Sequence, residues 1–238
     1  MSVTLADIDT LDQAYASGDL EASSKEPLFA HDESLNKRIS LYRGDITKLE
    51  VDAIVNAANR SLLGGGGVDG AIHRAAGDEL YDECKTLDGC ATGSAKITKG
   101  YKLPSKHVIH AVGPIYDDEE DERCAKLLKS CYDTSLELAV ENKLSSIAFS
   151  GISTGIYGYP LDAATHIALR TTRDFLTSEK GSSISRVIFT VFRSIDVNSY
   201  KKILPLYFPP APAPSEPKED AAQPAEESKE KEKTPSAI

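Results

Sequence analysis

A strand, two carboxamides, a run of glycines and the start of a helix follow one another between residues 51 and 77. This unit constrains the fold more than any other part of the chain. Residues 51–59 read as a buried strand that ends in Asn56 and Asn59, and residues 64–67 are all glycine. Glycine tolerates positive φ and lets a ligand touch the backbone, and the first N–H groups of a helix attract anions. The unit therefore predicts an α/β protein with a phosphate pocket.

A second glycine loop, residues 151–160, also follows an apolar strand and precedes a helical pattern. Ser153, Thr154 and the backbone of Gly155 can donate hydrogen bonds to phosphate, and Tyr157 can cover a sugar ring. Two such loops in one domain indicate a diphosphate held from both sides. Neither loop is a Walker A motif or has the Rossmann spacing, and the chain has no Gly-x-Ser-x-Gly elbow. Nucleotide hydrolysis, hydride transfer and serine acyl-enzyme chemistry are therefore disfavoured.

Apolar strands alternate with helices from residue 39 to residue 208, which predicts a sheet covered on both faces. We predict strands at 39–42, 53–56, 96–98, 107–112, 146–150 and 187–192, and helices at 68–76, 79–87, 123–141, 161–178 and 198–206. Residues 1–38, with apolar residues at helical spacing from Leu5 to Tyr15, predict an N-terminal helical arm that braces this domain. Residues 209–238 are rich in Pro, Ala, Glu and Lys and predict a disordered tail.

Composition excludes several classes of function. The net charge of −10 argues against sequence-independent binding to nucleic acid or to an anionic membrane. The chain has no apolar run of membrane-spanning length and its first residues do not resemble a secretory signal, so we expect an intracellular protein, cytoplasmic or nuclear. Its four cysteines are then reduced thiols, and Cys84 and Cys90 with a distant histidine fit no familiar zinc spacing. We expect no metal and no cofactor.

Five polar residues around the glycine loops are candidates for chemistry. Asp45, directly after a strand, can accept from an adenine amino group, or it caps the following turn. Asn56 and Asn59 suit ribose hydroxyls, or they cap loop backbone. Asp69 and His73 share one helix face. Asp69 is either a catalytic carboxylate that positions a hydroxyl or a water, or a common helix-start acid, and His73 is either part of that site or a structural partner.

Together these motifs resemble the macrodomain family, and within it the MacroD-type ADP-ribose hydrolases. The resemblance covers residues 39–208 and is carried by Gly44-Asp45-Ile46-Thr47, Val55-Asn56-Ala57-Ala58-Asn59, residues 64–70, residues 72–77, His110-Ala111-Val112-Gly113-Pro114 and residues 151–159. It implies a three-layer α/β/α sandwich with a central mixed, roughly six-stranded sheet, and it implies ADP-ribose as the ligand.

The resemblance also implies roles for individual residues. Asp45, with Ile46 beside it, would bind the adenine amino group, and Phe192 would pack against the base. Asn59 would position the distal ribose hydroxyls, and Asp69 would be the catalytic carboxylate, supported by His73. The diphosphate and distal ribose would contact Asn56, Gly65, Gly66, Gly67, Val68, Ser153, Thr154, Gly155, Ile156 and Tyr157. Tyr157 stands where the family often has phenylalanine, which keeps the ring.

The implied activity is removal of mono-ADP-ribose from acidic residues of modified proteins, together with deacetylation of O-acetyl-ADP-ribose. Two alternatives stay open: a non-catalytic ADP-ribose reader, and a phosphatase acting on ADP-ribose 1″-phosphate. The expected partners are ADP-ribose and ADP-ribosylated proteins, with nucleic acid only as ADP-ribosylated ends and no membrane. We expect a monomer. Cleavage at an anomeric carbon usually recruits two carboxyl groups, and only Asp69 is evident here, so we hypothesise that the substrate's own phosphate helps to orient the water.

Overall fold

A mixed six-stranded sheet forms the centre of the molecule. The computed structural model describes residues 2–212, so residues 213–238 of the predicted tail lie outside the described residues. The strands are β1 Val3–Thr4, β2 Ile39–Arg43, β3 Leu49–Glu50, β4 Ala53–Ala57, β5 Ala95–Lys99, β6 His107–Ala111, β7 Ser146–Phe149 and β8 Arg186–Val191. The sheet order is β2-β8-β7-β4-β6-β5, with β5 antiparallel to β6 and every other pair parallel. The predicted mixed sheet is confirmed.

The five helices predicted between residues 39 and 208 are all present. The helices are α1 Leu11–Ser17, α2 Glu33–Asn36, α3 Gly67–Ala76, α4 Asp78–Thr86, α5 Asp121–Glu141, α6 Leu161–Thr177 and α7 Ser194–Tyr207. α7 begins four residues before its predicted start because the Asp196 carboxylate accepts from the Arg193 backbone N–H and caps the helix.

The N-terminal arm differs from its prediction in detail. Its helix begins only at Leu11, because the Thr10 backbone N–H donates to Gln13 Oε1 at 2.8 Å in a capping box. The apolar residues before it form a short 3-10 helix, Leu5–Asp7. The arm also adds α2 and β1, and β1 forms a two-stranded parallel sheet with β3 of the following domain; the sequence pattern did not predict these three elements.

The two faces of the sheet are covered by different helices. On one face the core includes residues of α1, α2, α5, α6 and α7, and on the other it includes residues of α3 and α4. Side chains alternate along β4, so that Val55 packs in the first core and Ile54 in the second, and both are fully buried. The predicted three-layer α/β/α fold is confirmed.

Parallel strand order places the functional loops together. β2, β8, β7, β4 and β6 run in the same direction, so the segments that follow their carboxyl ends meet at one edge of the sheet. All four cysteines are buried free thiols. Among residues 2–212, none of the helices combines the length and the apolar character that crossing a bilayer requires.

Candidate active site at the carboxyl edge of the sheet

A cavity of about 590 Å³ opens at the carboxyl edge of the sheet. Both glycine loops and the end of β8 contribute to its walls. From the predicted site, the lining residues are Asp45, Ile46, Gly67, Val68, Thr154, Gly155 and Phe192. The structure therefore brings together segments that are more than 140 residues apart in the sequence.

The first glycine loop folds tightly onto the start of α3. Gly64 and Gly67 have φ of 82° and 59°, in the left-handed region that favours glycine. A side chain at Gly70, in the first turn of α3, would clash with the carbonyl oxygen of Gly65. Gly67 and Val68, at the start of α3, lie in the cavity wall, and the backbone N–H groups at a helix start are suited to an anionic ligand.

Asn59 holds this loop through both ends of its amide. Its Nδ2 donates to the Gly64 carbonyl at 2.7 Å, and its Oδ1 accepts from the backbone N–H and the hydroxyl of Ser61 at 3.0 and 2.6 Å. The loop-capping alternative for Asn59 is thus present in the structure. A Cβ at Gly65 would lie 3.3 Å from Asn59 Nδ2 and 3.1 Å from Asp69 Oδ2, so both side chains face Gly65. Contact of Asn59 with a distal ribose stays a prediction.

Asp69 lies in the first turn of α3 and is only 4% exposed. Its Oδ1 accepts from Asn56 Nδ2 at 2.7 Å and lies 3.5 Å from His73 Nε2. Burial raises the pKa of this carboxyl, while the Asn56 hydrogen bond and the charge of His73 oppose that rise. A carboxyl with a raised pKa next to a ligand loop has the properties of a general base.

His73 lies beside Asp69 on the same helix, with its Nε2 3.5 Å from Asp69 Oδ1. Its Nε2 is buried and has no hydrogen-bond partner among residues 2–212, and its ring lies 6.0 Å from that of His110. The structural alternative for His73, as a partner of Asp69, therefore has a geometric basis.

Asn56 is placed differently from its predicted role. The side chain extends from β4 beneath α3 and is fully buried. Its Nδ2 donates to Asp69 Oδ1 and lies 3.2 Å from His110 Nδ1. It offers no exposed atom to a ligand in this conformation. Asn56 therefore lies behind Asp69 in this structure, and its direct contact with a ligand stays a prediction.

The second glycine loop contains a strained residue. Ser153 has φ of 63° although it is not glycine, it is 5% exposed, and its hydroxyl has no hydrogen-bond partner in the described part of the chain. A side chain at Gly113 would clash with Ser153 Oγ, so the loop lies directly on the segment that follows β6. The Tyr157 carbonyl accepts from the Tyr116 backbone N–H at 2.8 Å and fixes the far side of the loop.

Asp45 and Phe192 lie just beyond a register pair of two neighbouring strands, Arg43 of β2 and Val191 of β8. Asp45 Oδ1 accepts from the backbone N–H and hydroxyl of Thr47 at 3.0 and 2.7 Å, so the capping alternative is also present. Phe192 is 74% exposed at the cavity, and an apolar ring in that position is suited to packing against a planar base.

Ile156 resembles Phe192 in its exposure. It follows Gly155 of the cavity wall and is 94% exposed, although it does not itself line the cavity. The predicted contact of Ile156 with a ligand therefore stays a prediction.

Three groups with metal-ligating atoms lie together beneath α3. The atoms of His73, Cys84 and His110 are within 4.8 Å of one another. Burial raises the pKa of the Cys84 thiol to about 12, and both ring nitrogens of His110 lie within 3.2 Å of Asn56 or Thr98. A neutral thiol and an imidazole with partners at both nitrogens fit a hydrogen-bonded network better than a metal centre.

Sequence reasoning missed several residues of this region. Tyr132 of α5 and Tyr200 of α7 line the cavity, but they belong to apolar helix faces and carry no local signal of a site. Arg193 and Asp196 also line it, and their spacing directly after Phe192 was a readable cap signal. Buried polar residues within apolar strands, of which His110 is one, were a second readable signal.

Comparisons with known proteins agree with this geometry. A family model described as Macro domain matches residues 55–168. The chain is 57% identical over 187 residues to ADP-ribose glycohydrolase MACROD1 of Bos taurus, covering 79% of this chain and 57% of that protein. It is 55% identical over 192 residues to ADP-ribose glycohydrolase MACROD1 of Rattus norvegicus, covering 81% of this chain and 74% of that protein.

A solved structure gives the same result. The Trypanosoma brucei macrodomain in complex with ADP-ribose has a TM-score of 0.70 and 43% identity, over 85% of this chain and 77% of that one. The chain spans only 57% of the length of its Bos taurus relative. Because it matches the Rattus norvegicus relative at 55% identity over 74% of that protein's length, the chain belongs to the macrodomain family.

Proposed function

We propose that this chain is an ADP-ribose-binding hydrolase that removes mono-ADP-ribose from acidic residues of modified proteins and deacetylates O-acetyl-ADP-ribose. The observation that carries the proposal is the carboxylate of Asp69, 4% exposed, with a pKa raised by burial, in the first turn of the helix that follows the glycines. Both substrates are esters of the distal ribose, so one site can serve both.

The cavity suits the parts of ADP-ribose in order. Asp45 and Phe192, at the ends of β2 and β8, would hold the adenine. The first turn of α3 and the loop around Thr154 would hold the diphosphate from two sides. That arrangement directs the distal ribose toward Gly65, which Asn59 and Asp69 both face. The names of the relatives and the ADP-ribose complex of the Trypanosoma brucei macrodomain support this assignment.

The proposed step on modified proteins is hydrolysis at the anomeric carbon of the distal ribose. The oxygen of water bonds to that carbon, the bond to the side-chain carboxylate breaks, and the proton of the water leaves with the released acid. Asp69 acts on the water or on a ribose hydroxyl, and the substrate's own phosphate orients the water. Fixing the diphosphate in the two loops supplies the geometry of attack.

The alternatives differ in what they need from the site. A reader needs the two loops but has no use for a buried carboxylate that faces Gly65, and this chain has one. A phosphatase acting on ADP-ribose 1″-phosphate would use the same cavity and would release phosphate.

The test is incubation of the protein with a glutamate-linked mono-ADP-ribosylated protein, with O-acetyl-ADP-ribose and with ADP-ribose 1″-phosphate. We expect release of ADP-ribose from the first and acetate from the second. Asp133→Asn is a control on the outer part of α5, where Asp133 forms an ion pair with exposed Lys129, and it should keep wild-type turnover. Tight ADP-ribose binding without any product would favour the reader, and phosphate release alone would favour the phosphatase.

A further inference from the structure

A row of buried polar side chains crosses three neighbouring strands on the sheet face that α3 and α4 cover. Thr98 of β5, His110 of β6 and Asn56 of β4 are 2%, 0% and 0% exposed. Asn56 and His110 are register partners, and Thr98 pairs with Val108, two residues before His110. Polar groups in a fully buried row are costly unless they are hydrogen-bonded, so the bonds of this row need an explanation.

The hydrogen bonds of the row have one consistent direction. His110 Nε2 lies 3.0 Å from Thr98 Oγ1, and the Thr98 hydroxyl can donate to the carbonyl of Lys99 or Val108, at 3.2 and 3.4 Å. If the proton of the neutral imidazole is on Nε2, then Nδ1 is an acceptor. Asn56 Nδ2 lies 3.2 Å from that Nδ1 and donates to it. The second hydrogen of the same amide goes to Asp69 Oδ1 at 2.7 Å.

We propose that Thr98 and His110 are positioning residues that fix the amide of Asn56 and, through it, the Asp69 carboxylate. The Thr98 hydroxyl selects the Nε2–H tautomer of His110, and that tautomer requires the nitrogen of the Asn56 amide at Nδ1. If the proton were on Nδ1 instead, the Asn56 amide would turn its oxygen toward His110. The same oxygen would then face the Asp69 carboxylate, and two acceptors would repel each other.

The surroundings keep His110 neutral, as this arrangement requires. Burial, followed by the charge of His73, lowers the pKa of His110 to about 3. Among residues 2–212, His73 on the same helix and Cys84 on α4 are titratable groups near Asp69, and His110 on β6 is joined to Asp69 through the Asn56 amide. Cys84 Sγ lies 3.7 Å from His110 Nε2 and is a weaker acceptor than the Thr98 hydroxyl.

The effect of the row on Asp69 is measurable without any substrate. The Asn56 hydrogen bond lowers the pKa of Asp69 against the effect of burial. Thr98→Val keeps the size of the side chain but removes the acceptor for Nε2–H. We expect the pKa of Asp69 to rise further in this variant, and Thr98→Ser, which keeps the hydroxyl, to restore the wild-type value. A carbon-13 NMR titration of the aspartate carboxyls reads this directly.

The catalytic consequence rests on the proposed function. In Thr98→Val we expect kcat to fall about tenfold, the equivalent of one charged hydrogen bond, with KM unchanged and the acid limb of the pH profile moved to higher pH. Thr172→Val is the control: it makes the same substitution at another buried threonine, whose hydroxyl has no hydrogen-bond partner in residues 2–212 and which lies in the half of α6 remote from the cavity. It should leave kcat and the Asp69 titration unchanged.

A second pair of variants covers the case in which Thr98→Val does not fold. In His110→Asn, the new Oδ1 lies near the position of the His110 Nδ1 and remains an acceptor for Asn56. In His110→Leu, that acceptor is lost. His110→Asn should therefore preserve the Asp69 titration better than His110→Leu. An equal Asp69 pKa in wild type, Thr98→Val and His110→Leu would overturn the proposal. Absence of hydrolysis by the wild type would instead overturn the proposed function, while the titration would still decide the role of the row.

Discussion

Two aspartates near opposite ends of β4 show how this fold separates stability from chemistry. Asp52 precedes the strand at the amino edge of the sheet, and its Oδ2 accepts from the backbone N–H and hydroxyl groups of Ser145 and Ser146, at 2.8 to 3.1 Å. Its Oδ1 accepts from Lys106 Nζ at 2.7 Å. Asp69 lies beyond the carboxyl end and, within the part of the chain that the structure describes, accepts one hydrogen bond, from Asn56.

Burial raises the pKa of both carboxyls, but the net shifts have opposite signs. Burial alone would raise the pKa of Asp52, but the bonds from Lys106 and the two serines outweigh it and hold the pKa well below the ordinary value. At Asp69 burial is the larger effect and the pKa is raised. The number of donors around each carboxyl therefore decides the direction of its pKa shift, and the raised pKa of Asp69 is what its proposed catalytic role requires.

The largest effect is expected from Asp69→Asn. Because the neutral amide cannot act as a base, turnover of ADP-ribosylated protein should fall by about 10²–10⁴-fold, while the Kd for ADP-ribose changes little. The same substitution removes a buried charge, so we expect the free energy of unfolding at pH 7 to rise by about 1 kcal/mol. Turnover assays, calorimetric binding and urea unfolding measure these three quantities. Retained turnover would contradict the role of Asp69.

Asp52→Asn should give the opposite pattern. Loss of the charged acceptor leaves several donors without a good partner, and we expect a loss of about 2 kcal/mol in the free energy of unfolding, with kcat of the folded protein unchanged. Since the pKa of Asp52 is lowered by folding, its contribution is present above its ordinary value of 3.8 and is lost as the pH falls through the folded value. The stability difference between wild type and variant should therefore shrink below about pH 4.

The contrast also shows which parts of the molecule are readable from sequence. The six strands of the central sheet, the helices α3 to α7 and the carboxyl-edge location of the site follow from local periodicity and from glycine, because these properties depend on neighbours in the chain. Asp69 was identifiable because it lies two residues after the glycine run, at the predicted helix start. The antiparallel direction of β5 entered only through the family resemblance, since strand direction is set by tertiary pairing.

The environment of each polar residue was harder to predict from the sequence. Asn56 and Asn59 look equivalent in the sequence, yet Asn56 is fully buried behind Asp69 while Asn59 caps the glycine loop. The difference arises from the pleat, which turns Asn56 toward α3 in register with His110. Such a contact between residues 54 positions apart has no local signature.

The smallest effect is expected where Asp52 meets its exposed partner. The side chain of Lys106 is 71% exposed, whereas that of Asp52 is 15% exposed. Solvent screens such a pair, so Lys106→Ala should cost about 0.5 kcal/mol or less, and less still in high salt. The serine donors, in contrast, include backbone N–H groups that no side-chain substitution removes. Urea unfolding of Lys106→Ala and Asp52→Asn compares the two contributions. If Lys106→Ala lowers the free energy of unfolding as much as Asp52→Asn does, then the lysine charge, and not the serine donors, makes Asp52 a structural aspartate.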